Sequence, residues 1–217
     1  MKCATGASPT PDSDAPDPGA MFPQRHAVRV YQSIYGCDIV HAGATRDGMM
    51  NHDALLQLIG EIYDAAADIK RWPQVLQHVA DAFDAQEAAL GMVSPVAVPW
   101  LIAPRSDPEF LRSYSEYYHS RNLFWRNMSR LPVGTGATDT MVMPKSELQA
   151  SEFYNDWSKP QNYLSVMGAT LFMEDGWRTE FVVPGKHEFE AEHLKLYDAL
   201  APHLVRAVQL KPATRAC

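Results

Sequence analysis

The sequence predicts an α/β (α+β) fold, a sandwich in which helices cover both faces of a central antiparallel sheet. Three observations predict it. Two apolar stripes at helical spacing occupy residues 53 to 83, two β-rich runs meet at Asp175-Gly176, and a long amphipathic stretch closes the pattern at 189 to 210.

The first helix is expected to open at Asp53 as N-cap, with Leu55, Leu56, Ile59, Ile62, Tyr63 and Ala66 on one face. Trp72-Pro73 opens a second, since proline is tolerated in the first turn, and Leu76, Val79 and Phe83 form its buried side. EAALGMVS at 87–94 and PWLIA at 99–103 have strand length and are separated by proline-containing turn residues. Asp107-Pro108 is a cap with a first-turn proline, leading a helix that carries Phe110, Leu111, Tyr114, Tyr117 and Tyr118. LPVGTGATDT at 131–140 reads as loop or edge strand. Ser146 with Gln149 fits a capping box, and Ser151 caps the turn into SEFYNDWSKPQ. LSVMGATLFME and WRTEFVVPG flank Asp175-Gly176, the signature of a type I′ hairpin. In the closing helix, Leu194, Tyr197, Ala201, Leu204 and Val208 repeat at steps of three and four, and Pro202 removes one backbone donor.

The chain has 217 residues, 46% apolar and 21% charged, enough for one sizeable domain with tails. Its net charge of −7, with Lys70-Arg71 as the longest basic run, argues against unaided binding to a phosphate backbone. Cys3, Cys37 and Cys217 lie outside the patterned region and suit neither a disulfide framework nor a zinc site. No stretch approaches the roughly 20 apolar residues of a membrane span, and the start lacks the apolar run of a secretory signal. A cytoplasmic protein is expected. Residues 1–50 read as a disordered or loosely ordered extension, 51–210 as the folded domain and 211–217 as a tail.

No catalytic motif is present: neither a nucleophile elbow, a zinc-protease helix, a P-loop nor a dinucleotide fingerprint. Gly134 and Gly136 are turn chemistry. His187, His193 and His203 are spaced as capping or exposed residues rather than metal ligands, and Glu152 with Asp156 reads as a solvated helix face. The expectation is therefore no enzyme, no metal and no cofactor. What remains is aromatic. Trp100, Tyr117, Tyr118, Trp125, Phe153, Tyr154 and Trp157 fall on segments that should cover or edge one sheet. Core packing explains most such residues, but several polar-tipped aromatics together also compose a small-molecule pocket.

LLQLIGEIYDAAADIKRWPQVLQHVADAF, the stretch from DPEFLRSYSEYY to LPVG, SEFYNDWSKPQ and LAPHLVRAVQL, in that order, resemble the N-terminal sensor domain of LuxR-type bacterial transcriptional regulators. The likeness covers about residues 53 to 210. It implies a GAF- or PAS-like α/β/α sandwich that binds a small-molecule signal, helps dimerise the regulator and precedes a DNA-binding helix-turn-helix. Two departures stand out. The W-x-x-x-Y motif of acyl-homoserine-lactone receptors is missing, because Trp72, Trp100, Trp125, Trp157 and Trp177 are followed four positions later by Leu76, Pro104, Ser129, Gln161 and Phe181. And only KPATRAC follows Leu210, too short for a helix-turn-helix, so this chain alone is not expected to bind DNA.

Two modes of action compete with each other. A sensor holds a cavity of roughly 300 Å³ or more lined by those aromatics. A ligand-free interaction module instead exposes the Leu194–Val208 stripe as a seam for a homodimer, or for a mixed dimer with a full-length regulator. A small enzyme is the third reading and would need convergent polar groups of perturbed acidity in the cavity.

Overall fold

The computed structural model describes residues 51–94 and 100–210, all in the unit Gly48–Cys217. The expectations for residues 1–50 and for the tail 211–217 lie outside the described residues, as does the side chain of Trp100.

Helix α1 runs His52–Ala67 and α2 runs Trp72–Ala82 with Pro73 in its first turn. The cap of α1 is Asn51, whose side chain accepts a bond from the Ala54 N–H at 2.8 Å. Asp53 sits instead in the first turn, where a carboxylate meets the positive end of the helix. The buried face of α1 is also turned from the expected one. Leu58, Ile62, Ala65 and Ala66 are buried, while Leu56 and Tyr63 face out.

Strands β1 (Ala89–Val93), β2 (Trp100–Ile102), β3 (Ala137–Thr138), β4 (Ser165–Glu174) and β5 (Trp177–Gly185) form one antiparallel sheet in the order β2-β1-β5-β4-β3. Its centre is the β4–β5 hairpin. Asp175 and Gly176 both have positive φ, 49° and 81°, as a type I′ turn requires. Glu174 pairs with Trp177 across it.

Side chains alternate between faces along each strand. Phe181 and Val183 of β5, with Met167, Ala169 and Leu171 of β4, point to one side and join α1, α2 and the closing helix α7 (Ala191–Gln209) in the main core. Tyr197, Leu200 and Leu204 of α7 are fully buried there. The stripe considered as a pairing seam is thus already in use. Tyr197, Ala201 and Leu204 are buried in the chain's own core, and Leu194 and Val208 pack on its edge. α7 continues as a helix through Pro202, which is exposed. It starts with a reciprocal cap in which the Glu190 N–H donates to His193 Nδ1 at 3.0 Å.

Short elements cover the opposite face: α3 (Pro108–Glu116), α4 (Leu123–Met128), α5 (Asp139–Val142), α6 (Lys145–Ala150) and a π-helical turn at Phe153–Ser158. Asp107 caps α3 as expected, accepting from the Glu109 N–H at 2.7 Å. The Ser146–Gln149 box does not form: α6 starts at Lys145 after Pro144 with no side-chain cap, so Ser146 lies inside its first turn rather than before it. Ser151 does cap, its Oγ accepting from the Tyr154 N–H at 3.1 Å. In LPVGTGATDT only Ala137–Thr138 pairs, as an edge strand on β4. The two glycines before it have separate reasons. Gly134 has φ 84°, and a Cβ at Gly136 would lie 2.2 Å from the Tyr197 ring.

Candidate ligand site between the sheet and its short helices

The face of the sheet turned away from the main core presents Ala89, Gly91 and Val93 from β1, Glu180, Val182 and Pro184 from β5, and Val166 from β4. These are small or modest side chains. Gly168 beside them lets the covering aromatics close in, since a Cβ there would stand 2.6 Å from the Phe181 carbonyl and 3.1 Å from the Phe124 ring. Above lie the aromatics of α3, α4 and the π-turn. Phe153 and Trp157 stack at 5.1 Å with their planes 17° apart. Tyr114 packs 5.0 Å from Trp157, and the Trp157 indole N–H donates to the Phe110 carbonyl at 3.0 Å. π-turns are costly and concentrate at functional sites; this one places Phe153, Tyr154 and Trp157 together, all buried.

Between sheet and aromatics lies a mostly apolar cavity of about 80 Å³. A cleft of about 220 Å³ adjoins it, sharing Val93, Tyr114, Asn122, Trp125 and Glu180. The cavity by itself is smaller than the ~300 Å³ typical of pockets for drug-sized ligands. It has room for several waters or one compact molecule.

Of the residues nominated from sequence, Trp125, Phe153, Tyr154 and Trp157 line the cavity. Tyr117 and Tyr118 do not. Tyr117 is exposed, donates its hydroxyl to Glu152 at 2.7 Å and carries the Arg121 guanidinium over its ring. Tyr118 packs at the rim against Phe153, with ring centroids 6.4 Å apart. The reason is that α3 ends at Glu116, so the helical spacing that would carry both tyrosines inward with Tyr114 stops short of them.

The polar groups of the site were not nominated. Glu87 and Glu180 are both buried in the cavity wall. Glu87 accepts from the Ala88 N–H at 2.9 Å, the Arg105 N–H at 2.7 Å and the Ser106 hydroxyl at 3.1 Å. Ser106 and Tyr163 share a further bond of 3.1 Å. Even so, loss of hydration outweighs these bonds and pushes the Glu87 carboxyl up to about 7. Glu180 receives a 2.5 Å bond from Arg178 Nε, and burial likewise pushes it up to about 7. Burial first, then the nearby Glu180 charge, holds the Tyr114 hydroxyl protonated well above the usual range. Among the described residues, two buried side-chain atoms, His119 Nδ1 and Thr170 Oγ1, have no hydrogen-bond partner. His119 lines the cleft; Thr170 is the cross-strand neighbour of Glu180 at a bulge in β4. One signal for Glu180 was present in the sequence: a carboxylate inside the strand run TEFVV, on the same face as Val182.

Among the described residues no group of three or more His, Cys, Asp or Glu side chains is placed to hold a metal ion, and no helix is long and apolar enough to cross a membrane.

No protein-family model matches the chain, and no curated relative matches it. Solved structures do. The VqsR ligand-binding domain from Pseudomonas aeruginosa superposes with a TM-score of 0.57 at 13% identity, over 72% of this chain and 94% of that one. CepR2 from Burkholderia cenocepacia, an N-acylhomoserine lactone dependent LuxR-family transcription factor, gives 0.52 at 11% identity, over 72% and 99%. A GAF domain of a phosphoenolpyruvate-protein phosphotransferase from Coxiella burnetii is more distant, at 0.47 and 15% over 73% and 95%. The described part of the chain therefore has the fold of the ligand-binding domains of LuxR-family regulators.

Proposed function

We propose that this chain is the signal-sensing part of a LuxR-type transcriptional regulator, and that it binds a small molecule between the sheet and the π-turn aromatics. The observation that carries the reading is a cavity whose wall joins Trp125, Phe153, Tyr154 and Trp157 to the buried carboxyls of Glu87 and Glu180. An apolar wall with a few placed polar groups is the usual composition of a ligand site, and the fold likeness places sensing domains among the chain's neighbours. DNA contact is assigned to a helix-turn-helix outside residues 51–210. Pairing along Leu194, Tyr197, Ala201, Leu204 and Val208 is not part of the reading, because those residues face the chain's own core.

Native mass spectrometry of the protein purified from its host tests the reading. A retained small molecule, lost on Trp157→Ala, supports it. A chain that carries nothing and whose melting temperature no host small-molecule extract raises contradicts it.

A further inference from the structure

The two buried carboxyls are not equivalent. Both oxygens of Glu87 are engaged, one by Ala88 and the other by Arg105 and Ser106. Glu180 has one bond, from Arg178 Nε to Oε1, and its second oxygen accepts none among the described residues. Arg178 in turn commits only Nε, leaving its two outer nitrogens without a partner among those residues.

The cleft beside this pair is rich in donors. Arg178, Arg126, His119, Ser120 and Asn122 line it, against Glu180 as its one carboxylate among the described residues. Arg126 is only loosely tied, 3.8 Å from Glu147. His119 Nδ1 is buried and has no hydrogen-bond partner among the described residues, a state that costs stability unless a donor or acceptor meets it. Two guanidiniums therefore face one carboxylate, and burial weakens the hold of that carboxylate on its charge. Near neutral pH the cleft favours an anion. The adjoining cavity is too small for a long chain but lined by flat rings.

We propose that cleft and cavity together bind a small organic acid, its carboxylate held by Arg178, Arg126 and His119 and its flat apolar body, about the size of one aromatic ring, placed under Trp125 and Trp157. This rests on the sensing reading of the same site and names the ligand class. An ammonium head would meet the guanidinium already held by Glu180, and a neutral amide would forgo the charge of Arg126.

The test is calorimetric titration of the full chain, near neutral pH and at low salt, with three probes sharing one body: phenylacetate, phenylacetamide and phenethylamine. Phenylacetate is expected to bind about tenfold tighter than the amide or more, the scale of a charge-assisted hydrogen bond. Arg126→Gln, a change at an exposed side chain, should cut that advantage several-fold. The double change Arg178→Gln with Glu180→Gln, which leaves no unpaired buried charge, should abolish it. Equal or tighter binding of the amide or amine overturns the inference, as does an acid preference that survives both variants. Failure of all three probes to bind also overturns it. In that case a molecule retained through purification would leave the sensing reading standing, and a chain that neither retains nor binds anything would remove both.

Discussion

One sheet carries two faces of opposite character. Toward α1, α2 and α7 it presents Phe181, Val183, Met167, Ala169 and Leu171, which pack with the long helices in one core cluster. One residue along the same strands, toward the short helices, it presents Gly91, Gly168, Val166, Val182 and Glu180. Small side chains on that face leave volume, and the large rings above it span the gap without filling it. A continuous helix can follow a sheet closely; a series of turns as short as α4 to α6 cannot. The contrast separates the part of the molecule that holds the fold from the part that has space and charge to spare for a ligand.

The comparison breaks most visibly if a large residue on the packed face proves dispensable. Phe181→Ala should cost about 3–5 kcal/mol in denaturant unfolding, since it empties a fully buried site among rigid helices. It should leave the aromatics of the other face in place.

The next largest effect is a pH dependence. Glu87 and Glu180 have folded-state values raised to about 7 from 4.5, so the folded state holds more protons than the unfolded one between those values. Their protonated forms stabilise the fold fully below about 4.5, and that contribution is lost as pH rises through about 7. For Glu180 the loss amounts to at most about 3 kcal/mol. Glu180→Gln should flatten this part of the curve measured by chemical denaturation, whereas an unchanged slope would mean that the carboxyl is not buried as described.

Gly168→Ala is expected to cost about 1–3 kcal/mol, because its Cβ meets a backbone carbonyl that cannot yield. The smallest effect sharpens the contrast most. Val182→Leu adds a methylene toward the cavity and should change stability by less than about 1 kcal/mol, where the same enlargement in a filled core costs more. It should nonetheless weaken small-molecule binding. A large loss of stability would mean that the space is not there.

Much of the fold was legible because its signals are local. Asp175-Gly176 dictates its turn, Pro73 and Pro108 mark helix starts, and the α7 period points to one buried face. Errors arose where local options were nearly degenerate. Asn51 and Asp53 are both good caps two residues apart, and the stripe on α1 was displaced because Leu55, Leu56, Leu58 and Ile59 allow more than one apolar face. The site was legible in part. Trp125, Phe153, Tyr154 and Trp157 announced themselves by type and clustering, but Tyr117 and Tyr118 depended on where α3 stopped. Glu87, Glu180 and His119 come from segments far apart in sequence, and only the β1–β5 pairing brings Gly91 and its neighbours beside Glu180. The α7 stripe shows the same limit from the other side, since a buried face and a pairing seam have the same period.

The most direct test of the two-face account is fluorine NMR of protein labelled with fluorotryptophan, since Trp125 and Trp157 line the cavity and Trp72 belongs to the packed core. Addition of a small-molecule extract of the host should shift the Trp125 and Trp157 signals and leave that of Trp72 in place. Signals that all stay fixed, or a Trp72 signal that moves with the other two, would contradict it.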